Sequence, residues 1–297
     1  MPSPFTLKNS KPYKQWRSHK LEHALDFNAS HEKLFIEIED IHQLRTDDRN
    51  KILKRCDTNS MCLYRVKQKK QNNKKSIHFL ANQLGLNQLD SNICADSDSL
   101  TSITATDHKG QHEYIPYSKK KLSWHTDGYY NHPSQQINSM LLHCNNPAKE
   151  GGASYLMDHE LAYIALRDEN PDFIKGLMQE DALTIPANTS NGKVIREAQS
   201  GPVFSINSKG QLHMRFSARK RNIEWKQSTP ILEAVEFLEK LLESSTPYIG
   251  KYTFKAGEGI ICRNILHRRD SFHDCTDKNK KRLLYRGRYY DTLANLT

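Results

Sequence analysis

The sequence lacks the features that would place it in a membrane or an export route. No run of roughly 18 apolar residues occurs in its 297 residues, so we expect no transmembrane helix. Residues 1–20 contain no apolar stretch of the kind found in signal peptides, so we expect no secretion. The contents of 36% hydrophobic and 26% charged residues are typical of a globular protein. We therefore predict a cytoplasmic protein with a buried core.

Cysteine is scarce, and its spacing is irregular. No C-x-x-C pair is present, which argues against a redox motif, a zinc ribbon and a disulfide framework. A chain of this length can bury a core without such crosslinks. We expect reduced thiols, as in other cytoplasmic proteins. The six cysteines are Cys56, Cys62, Cys94, Cys144, Cys262 and Cys275.

Internal repeats and linkers rich in Pro, Gly or Ser are also missing. We therefore predict one domain over residues 1–297, with a polar, irregular arm over about residues 1–30. Residues 40–56 are predicted to be helical, and residues 158–179 are predicted to form a helical pair broken at Pro171. Many short strand-like runs separate these helices. The pattern predicts a mainly β fold of the α+β type, a sandwich or jelly roll with helices packed outside.

Positive charge is in excess, with a formal net charge of +10, and one source is the segment KQKKQNNKK, Lys67–Lys75. Such a segment attracts nucleic acids or anionic metabolites. No aromatic residue interleaves with these lysines, as base stacking would require. The favoured interpretation is a solvated loop, and docking of RNA or DNA stays open as the alternative.

The stretch LSWHTDGYY places His125 and Asp127 two residues apart. In an extended segment these two side chains point to the same side and offer two metal ligands. The signal is weak alone, because the chain has 14 histidines. A third histidine would complete the two-histidine, one-carboxylate triad of non-haem iron oxygenases. His267 is the candidate, since it follows the apolar residues 260–261, and His273 is its rival in a more polar stretch.

Four motifs, WHTDG, EGGASYLMD, NILHRRDSF and RLLYRGRYYD, occur in this order between about residues 123 and 291. Together they resemble the taurine dioxygenase-like (TauD/TfdA) family of Fe(II)- and 2-oxoglutarate-dependent oxygenases. The resemblance implies a double-stranded β-helix core, one Fe(II), and 2-oxoglutarate and O2 as cosubstrates. It also implies that His125, Asp127 and His267 are the iron ligands and catalytic residues. Arg282 would bind the distal carboxylate of 2-oxoglutarate, beside the hydroxyl of Ser154.

The arginines near the C-terminus leave one assignment open. A polar loop separates His267 from Arg282, so Arg286 competes with Arg282 for the 2-oxoglutarate carboxylate. Alternation along RLLYRGRYY places both arginines, with Arg288, on one strand face. By pattern alone that face belongs in solvent, because an unpaired buried charge is costly. A bound anion would reverse this expectation.

The substrate is less well defined than the cofactors. Arg286, Arg219, Arg221 and Tyr129 are the candidate substrate-binding residues, and they favour a small polar metabolite that is anionic or amino-acid-like. The predicted reaction is hydroxylation of a C–H bond, with release of succinate and CO2; desaturation is a variant. Halogenation is disfavoured, because Asp127 occupies the position that a halide would need.

Two other enzymatic interpretations compete with this activity, and one further interpretation is not enzymatic. One is an oxygenase acting on a macromolecule, RNA or protein, with Lys67–Lys75 as its docking segment. The other is a zinc hydrolase using the same three ligands, for which the sequence offers no evident general base. A jelly-roll binding module without catalysis is a third class. The oligomeric state is not predicted.

Overall fold

The computed structural model describes residues 3–91, 95–106, 115–190 and 192–294. Its α-helices are α1 (Ser10–Glu22), α2 (His31–Leu34), α3 (Thr46–Asn59), α4 (Lys74–Gln83), α5 (His159–Glu169), α6 (Pro171–Leu177) and α7 (Thr229–Glu243). Short 3₁₀ turns lie at Lys69–Gln71, Ile115–Tyr117, Pro133–Gln135 and Lys278–Lys280. The helical pair broken at Pro171 is confirmed.

Strands make up most of the remaining ordered backbone. They are β1 (Phe35–Ile38), β2 (Met61–Val66), β3 (Thr101–Ile103), β4 (Leu122–His125), β5 (Ser139–Asn146), β6 (Glu150–Gly151), β7 (Ser154–Met157), β8 (Leu183–Ile185), β9 (Asn188–Ser190), β10 (Lys193–Arg196), β11 (Gln199–Gly201), β12 (Phe204–Ile206), β13 (Leu212–Met214), β14 (Glu224–Trp225), β15 (Ile249–Tyr252), β16 (Glu258–Cys262), β17 (Leu266–Arg269), β18 (Phe272–His273) and β19 (Leu283–Tyr289).

Two sheets form the jelly-roll core that the sequence predicts. The larger has the order β1-β2-β16-β5-β19-β3, and the smaller has the order β15-β7-β17-β4. Neighbouring strands are antiparallel except for the β1–β2 pair, which is parallel. Shorter two- and three-stranded sheets surround this core.

The buried side chains divide into three layers that follow the sheets. Between the two sheets, Met140 and Ile260 of the larger sheet pack in one cluster with Leu156 of the smaller. Apolar residues of α3 and α4 cover the other face of the larger sheet. Helices α5, α6 and α7 cover the outer face of the smaller sheet, against Trp124 and Leu266. Alternate residues of one strand therefore serve two different layers.

The N-terminal arm contains a helix that the sequence did not predict. Tyr13 on α1 donates a hydrogen bond to Asp168 Oδ1 on α5 at 2.7 Å. Lys20 is buried and forms ion pairs with Asp158, at 2.7 Å, and with Glu160. Tyr13, Trp16 and Leu21 of α1 also pack on the apolar cluster under α5. Because polar and charged contacts share in this docking, α1 shows no strong apolar stripe in the sequence.

Two other sequence predictions concern cysteine and the lysine-rich segment. The five cysteines within the described residues are free thiols, and Cys94 lies outside those residues. Lys67 pairs with Glu37 and Glu39, and Lys74 pairs with two aspartates, Asp96 and Asp98. Part of the positive charge of the segment is therefore neutralised within the chain.

Across the described ranges, no helix combines the length and the apolar character that a bilayer crossing requires.

A buried histidine in β5 makes stability depend on pH. The Nδ1 atom of His143 lies 3.0 Å from the Tyr64 hydroxyl, and its Nε2 lies 2.6 Å from Asn72 Oδ1. Burial lowers the pKa of His143 to about 3, whereas an unfolded histidine titrates near pH 6.5. The unfolded chain therefore gains a proton as the pH falls below about 6.5, while the folded chain does not. Stability is lost as the pH falls through this range.

His143→Gln tests this linkage. The loss of unfolding free energy between pH 7 and pH 5 should shrink by about 2 kcal/mol in the variant, because the amide does not titrate. Denaturant unfolding at the two pH values measures the difference. The exposed His273, replaced by glutamine, is the matched control and should leave the loss unchanged. Equal losses in His143→Gln and the unmodified protein would contradict the prediction.

Candidate metal centre

Three predicted ligands meet where two neighbouring strands lie side by side. His125 ends β4, and it pairs directly with His267 on β17. Asp127 follows two residues after His125. One ligand atom from each of the three side chains lies within 4.8 Å of the others, and no other such group of three occurs in the described ranges. The rival His273 is exposed on β18, where it pairs with Glu150, and is not part of the cluster.

The two imidazole rings are held in the same way. Nδ1 of His125 lies 2.9 Å from the carbonyl oxygen of Ser123, and Nδ1 of His267 lies 3.0 Å from that of Ile265. Because a carbonyl can only accept, each Nδ1 carries the proton and each Nε2 presents a lone pair. Metal-binding histidines are commonly oriented by such a contact.

Charge in the cluster suits a divalent cation. Burial lowers the pKa of His125 to about 3 and lowers the pKa of His267, so both rings are neutral at pH 7. Burial alone would raise the pKa of Asp127, but the surrounding positive groups, with Arg286 the strongest of them, together outweigh burial and hold that pKa below its usual range. Arg286 Nη1 donates to Asp127 Oδ1 at 3.0 Å, while the buried Oδ2 has no hydrogen-bond partner among the described residues. Two neutral imidazoles and one carboxylate with a free oxygen are a donor set that fits Fe(II).

The glycine of the WHTDG motif has a steric role. Gly128 has a φ of +67°, and a Cβ there would lie 2.4 Å from Cγ1 of Ile137. Any larger residue would push the chain away from this contact and displace the preceding Asp127.

The arginines of the RLLYRGRYYD motif do not face solvent, so the interpretation from alternation was wrong. Arg282, Arg286 and Arg288 are at most 7% exposed. The reason is the position of β19, which lies between β5 and β3 in the larger sheet. Arg288 pairs with Asp90 and donates to the Tyr130 hydroxyl at 2.7 Å. Internal carboxylates thus hold two of these buried cations.

Arg282 differs from its neighbours because its guanidinium forms no ion pair with the described residues; the Asp274 carboxylate accepts from its backbone N–H, at 2.7 Å, instead. Its Nη1 is buried and has no hydrogen-bond partner within the described part of the chain. The guanidinium carbon lies 4.9 Å from the centroid of the Phe272 ring, and burial lowers the Arg282 pKa to about 10. Ser154 and the Gly151–Gly152 turn line the same small cavity. This is a polar recess in which one N–H group of a buried cation has no partner among the described residues.

The candidate substrate residues are only partly gathered at the cluster. The Tyr129 ring lies edge-on to His125, with centroids 6.4 Å apart, and Arg219 Nη1 donates to the Tyr129 hydroxyl at 3.2 Å. Arg219 and Arg221 are exposed. Sequence reasoning missed Arg215, which donates to the Tyr129 carbonyl at 2.7 Å and to three other carbonyls.

Comparison with known proteins assigns the family. The family model described as Taurine catabolism dioxygenase TauD, TfdA family matches residues 87–288, more than half of the chain. The chain belongs to the TauD/TfdA family. The predicted dioxygenase class is confirmed, and the zinc hydrolase interpretation is set aside. As a TauD/TfdA enzyme, the protein uses Fe(II), 2-oxoglutarate and O2, the predicted cofactors.

Two similar proteins are both named uridine-5'-phosphate dioxygenase. One, from Streptomyces sp, is 29% identical over 203 residues, which cover 64% of this TauD/TfdA chain and 69% of the relative. The other, from Amycolatopsis sp, is 27% identical over 167 residues, which cover 53% and 57%.

Solved structures support the fold of this TauD/TfdA protein. Asparagine oxygenase, in complex with Fe(II), 2S,3S-3-hydroxyasparagine and succinate, superimposes with a TM-score of 0.60 at 12% identity. The non-haem iron oxygenase OrfP, with Fe and alpha-ketoglutaric acid, superimposes with a TM-score of 0.61 at 15% identity. Each match covers 84% of this chain and 81% of the other. The predicted jelly-roll core is thereby confirmed.

Proposed function

We propose that this enzyme hydroxylates a C–H bond of a small anionic metabolite, with 2-oxoglutarate converted to succinate and CO2. The observation that carries the proposal is the convergence of His125, Asp127 and His267 into one set of candidate ligands, of which the first two are buried and His267 is partly buried. Their Nε2 atoms and a carboxylate oxygen would hold the iron. When bound, Fe(II) activates O2 for oxidation of the substrate; the protein orients the reactants and excludes water.

Arg282 and Ser154 are the proposed binding groups for the distal carboxylate of 2-oxoglutarate. Arginine presents a planar pair of N–H groups that matches a carboxylate, and its charge is permanent at pH 7. The buried, unpaired Nη1 of Arg282 supports this role, because a ligand carboxylate would supply the missing partner. Arg286 is the weaker candidate, since it already donates to Asp127.

The substrate is proposed to carry its negative charge towards Arg219, Arg221 and Arg286, with Tyr129 lining the pocket. Arg219 and Tyr129 are already hydrogen-bonded to each other beside His125. The two relatives named uridine-5'-phosphate dioxygenase support a phosphate-bearing substrate. Nucleoside 5'-monophosphates are therefore the first compounds to test.

A substrate screen tests this proposal. Succinate formation should rise above the uncoupled background with a nucleoside 5'-monophosphate and not with the matching nucleoside. Arg219→Ala should raise KM for that substrate about 10-fold or more, because one charge-assisted contact is worth about 1.5–3 kcal/mol. Lys240→Ala is the control, since Lys240 is exposed on α7 and pairs with Glu236. Turnover of neutral compounds in preference to anions would contradict the proposal.

The same proposal includes a single domain over residues 1–297 acting in the cytoplasm. Free thiols at the described cysteines suit a reducing compartment.

A macromolecular substrate is not favoured, since Lys67 and Lys74 form ion pairs with acidic residues of the chain. Metal analysis after anaerobic purification should find iron rather than zinc.

A further inference from the structure

We infer that Asn264 is a positioning residue that fixes the backbone of Asp127 and so sets the geometry in which the metal is held. The inference rests on the proposed function, because it assumes that Asp127 is a ligand. Asn264 itself lies outside the set of ligands, and the sequence marks it only as part of a polar turn between the apolar residues 260–261 and His267.

The carboxamide of Asn264 forms hydrogen bonds with both backbone groups of Asp127, its N–H and its carbonyl. Its Oδ1 accepts from the Asp127 N–H at 2.8 Å, and its Nδ2 donates to the Asp127 carbonyl at 2.9 Å. The second Nδ2 hydrogen is donated to the carbonyl of Ile137 at 2.8 Å. Asn264 is 1% exposed, so water does not replace these contacts. The amide therefore uses its acceptor and one donor on Asp127 itself and its other donor on Ile137.

The backbone of Asn264 serves the other half of the site. Its φ of +51° lies in the left-handed region, which asparagine and glycine adopt more readily than other residues. The resulting turn joins β16 to β17 and sets His267 opposite His125. One residue thus connects the strand that carries His267 to the loop that carries Asp127. Only a short side chain with both a donor and an acceptor can make these contacts from a left-handed position.

The position of the Asp127 carboxylate depends on this clamp, by which we mean the two hydrogen bonds between the Asn264 carboxamide and the Asp127 backbone. Arg286 holds Oδ1, whereas the buried Oδ2 has no hydrogen-bond partner among the described residues. Without Asn264, the Asp127 N–H and C=O lose their partner. The Ile137 carbonyl still faces Nε2 of His213, 3.2 Å away. Loss of the clamp therefore acts chiefly on Asp127, and partners that orient metal ligands are typically worth about 10- to 100-fold in metal affinity.

Two variants separate positioning of the ligand from support of the fold. Asn264→Gly keeps the left-handed backbone and removes the carboxamide. Asn264→Asp keeps the shape and the acceptor and removes both N–H donors. Asn222→Gly is the matched control, because Asn222 is also left-handed, with a φ of +59°, but is exposed. Each protein is titrated anaerobically with Fe(II), its Co(II) absorption spectrum is recorded, and its Tm without metal is measured.

We expect the Fe(II) Kd to rise about 10- to 100-fold in both Asn264 variants at a temperature well below their Tm. The Co(II) bands should shift in the same proteins, and Asn222→Gly should match the unmodified protein in Kd and spectrum. A lower Tm with unchanged Kd and spectrum in either Asn264 variant would show that Asn264 only supports the fold, and would overturn the inference. If the unmodified protein binds no Fe(II), the proposed function fails instead.

Discussion

His267→Ala is expected to abolish Fe(II)-dependent turnover, with kcat/KM reduced about 1,000-fold or more. The variant removes one of the two neutral imidazoles. The remaining side chains, His125 and Asp127, supply only two of the three ligands. A bound metal contributes several kcal/mol of stabilisation to the transition state, and each factor of ten corresponds to about 1.4 kcal/mol. The measurements are succinate formation and the visible absorption band that appears when Fe(II) and 2-oxoglutarate are added without oxygen.

His273→Ala provides the matched control for this prediction. His273 has the same chemistry and lies close by in sequence, but it is exposed on β18 and pairs with β6. Its replacement should leave both the absorption band and turnover near their original values. An unchanged band in His267→Ala, or a lost band in His273→Ala, would refute the assignment of the third ligand.

Arg282→Met is expected to weaken 2-oxoglutarate binding about 100-fold or more. If Arg282 binds the distal carboxylate as proposed, the variant loses two charge-assisted hydrogen bonds, each worth about 1.5–3 kcal/mol. Without ligand, the same variant should be at least as stable as the unmodified protein, because it removes a buried cation whose Nη1 lacks a partner. Calorimetric titration measures the affinity, and denaturant unfolding without ligand measures the stability.

Arg269→Met is the control, since the two arginines flank the same ring. Each guanidinium carbon lies 4.9 Å from the Phe272 centroid. Arg269, however, donates to the carbonyls of Pro116, Ser118 and Lys120. Its loss leaves those carbonyls without a donor, so stability should fall. If Arg269→Met weakens 2-oxoglutarate binding as much as Arg282→Met, the carboxylate contact is assigned to the wrong residue.

The proximity of the His125 and Asp127 side chains was predictable because its signal is local. His125 and Asp127 sit two residues apart at a strand end, and the period of a strand alone places them on one side. The partner His267 required the ordered set of family motifs, since nothing in its own neighbourhood distinguishes it fully from His273. The jelly-roll class followed from many short strands, although the order of those strands did not.

Features that depend on contacts between residues far apart in the chain could not be predicted from the sequence. Residues 40–56 were predicted to be helical, but α3 begins only at Thr46. The backbone N–H groups of Ile41 and Leu44 are instead bound by the side chains of Gln71 and Gln83. The arginines of β19 were misplaced for a related reason: Arg286 and Arg288 are buried against Asp127 and Asp90, which are remote in sequence. Asn264 was passed over because its carboxamide acts on a residue far away along the chain.

The pairing of His125 with His267 also constrains when the enzyme can first become active during its synthesis. Strand β17 inserts between β7 and β4, both of which leave the ribosome much earlier. A nascent chain that ends before β17 holds only two of the three clustered side chains, those of His125 and Asp127. The complete cluster therefore forms only after β17 has been synthesised and has paired with both of its neighbours.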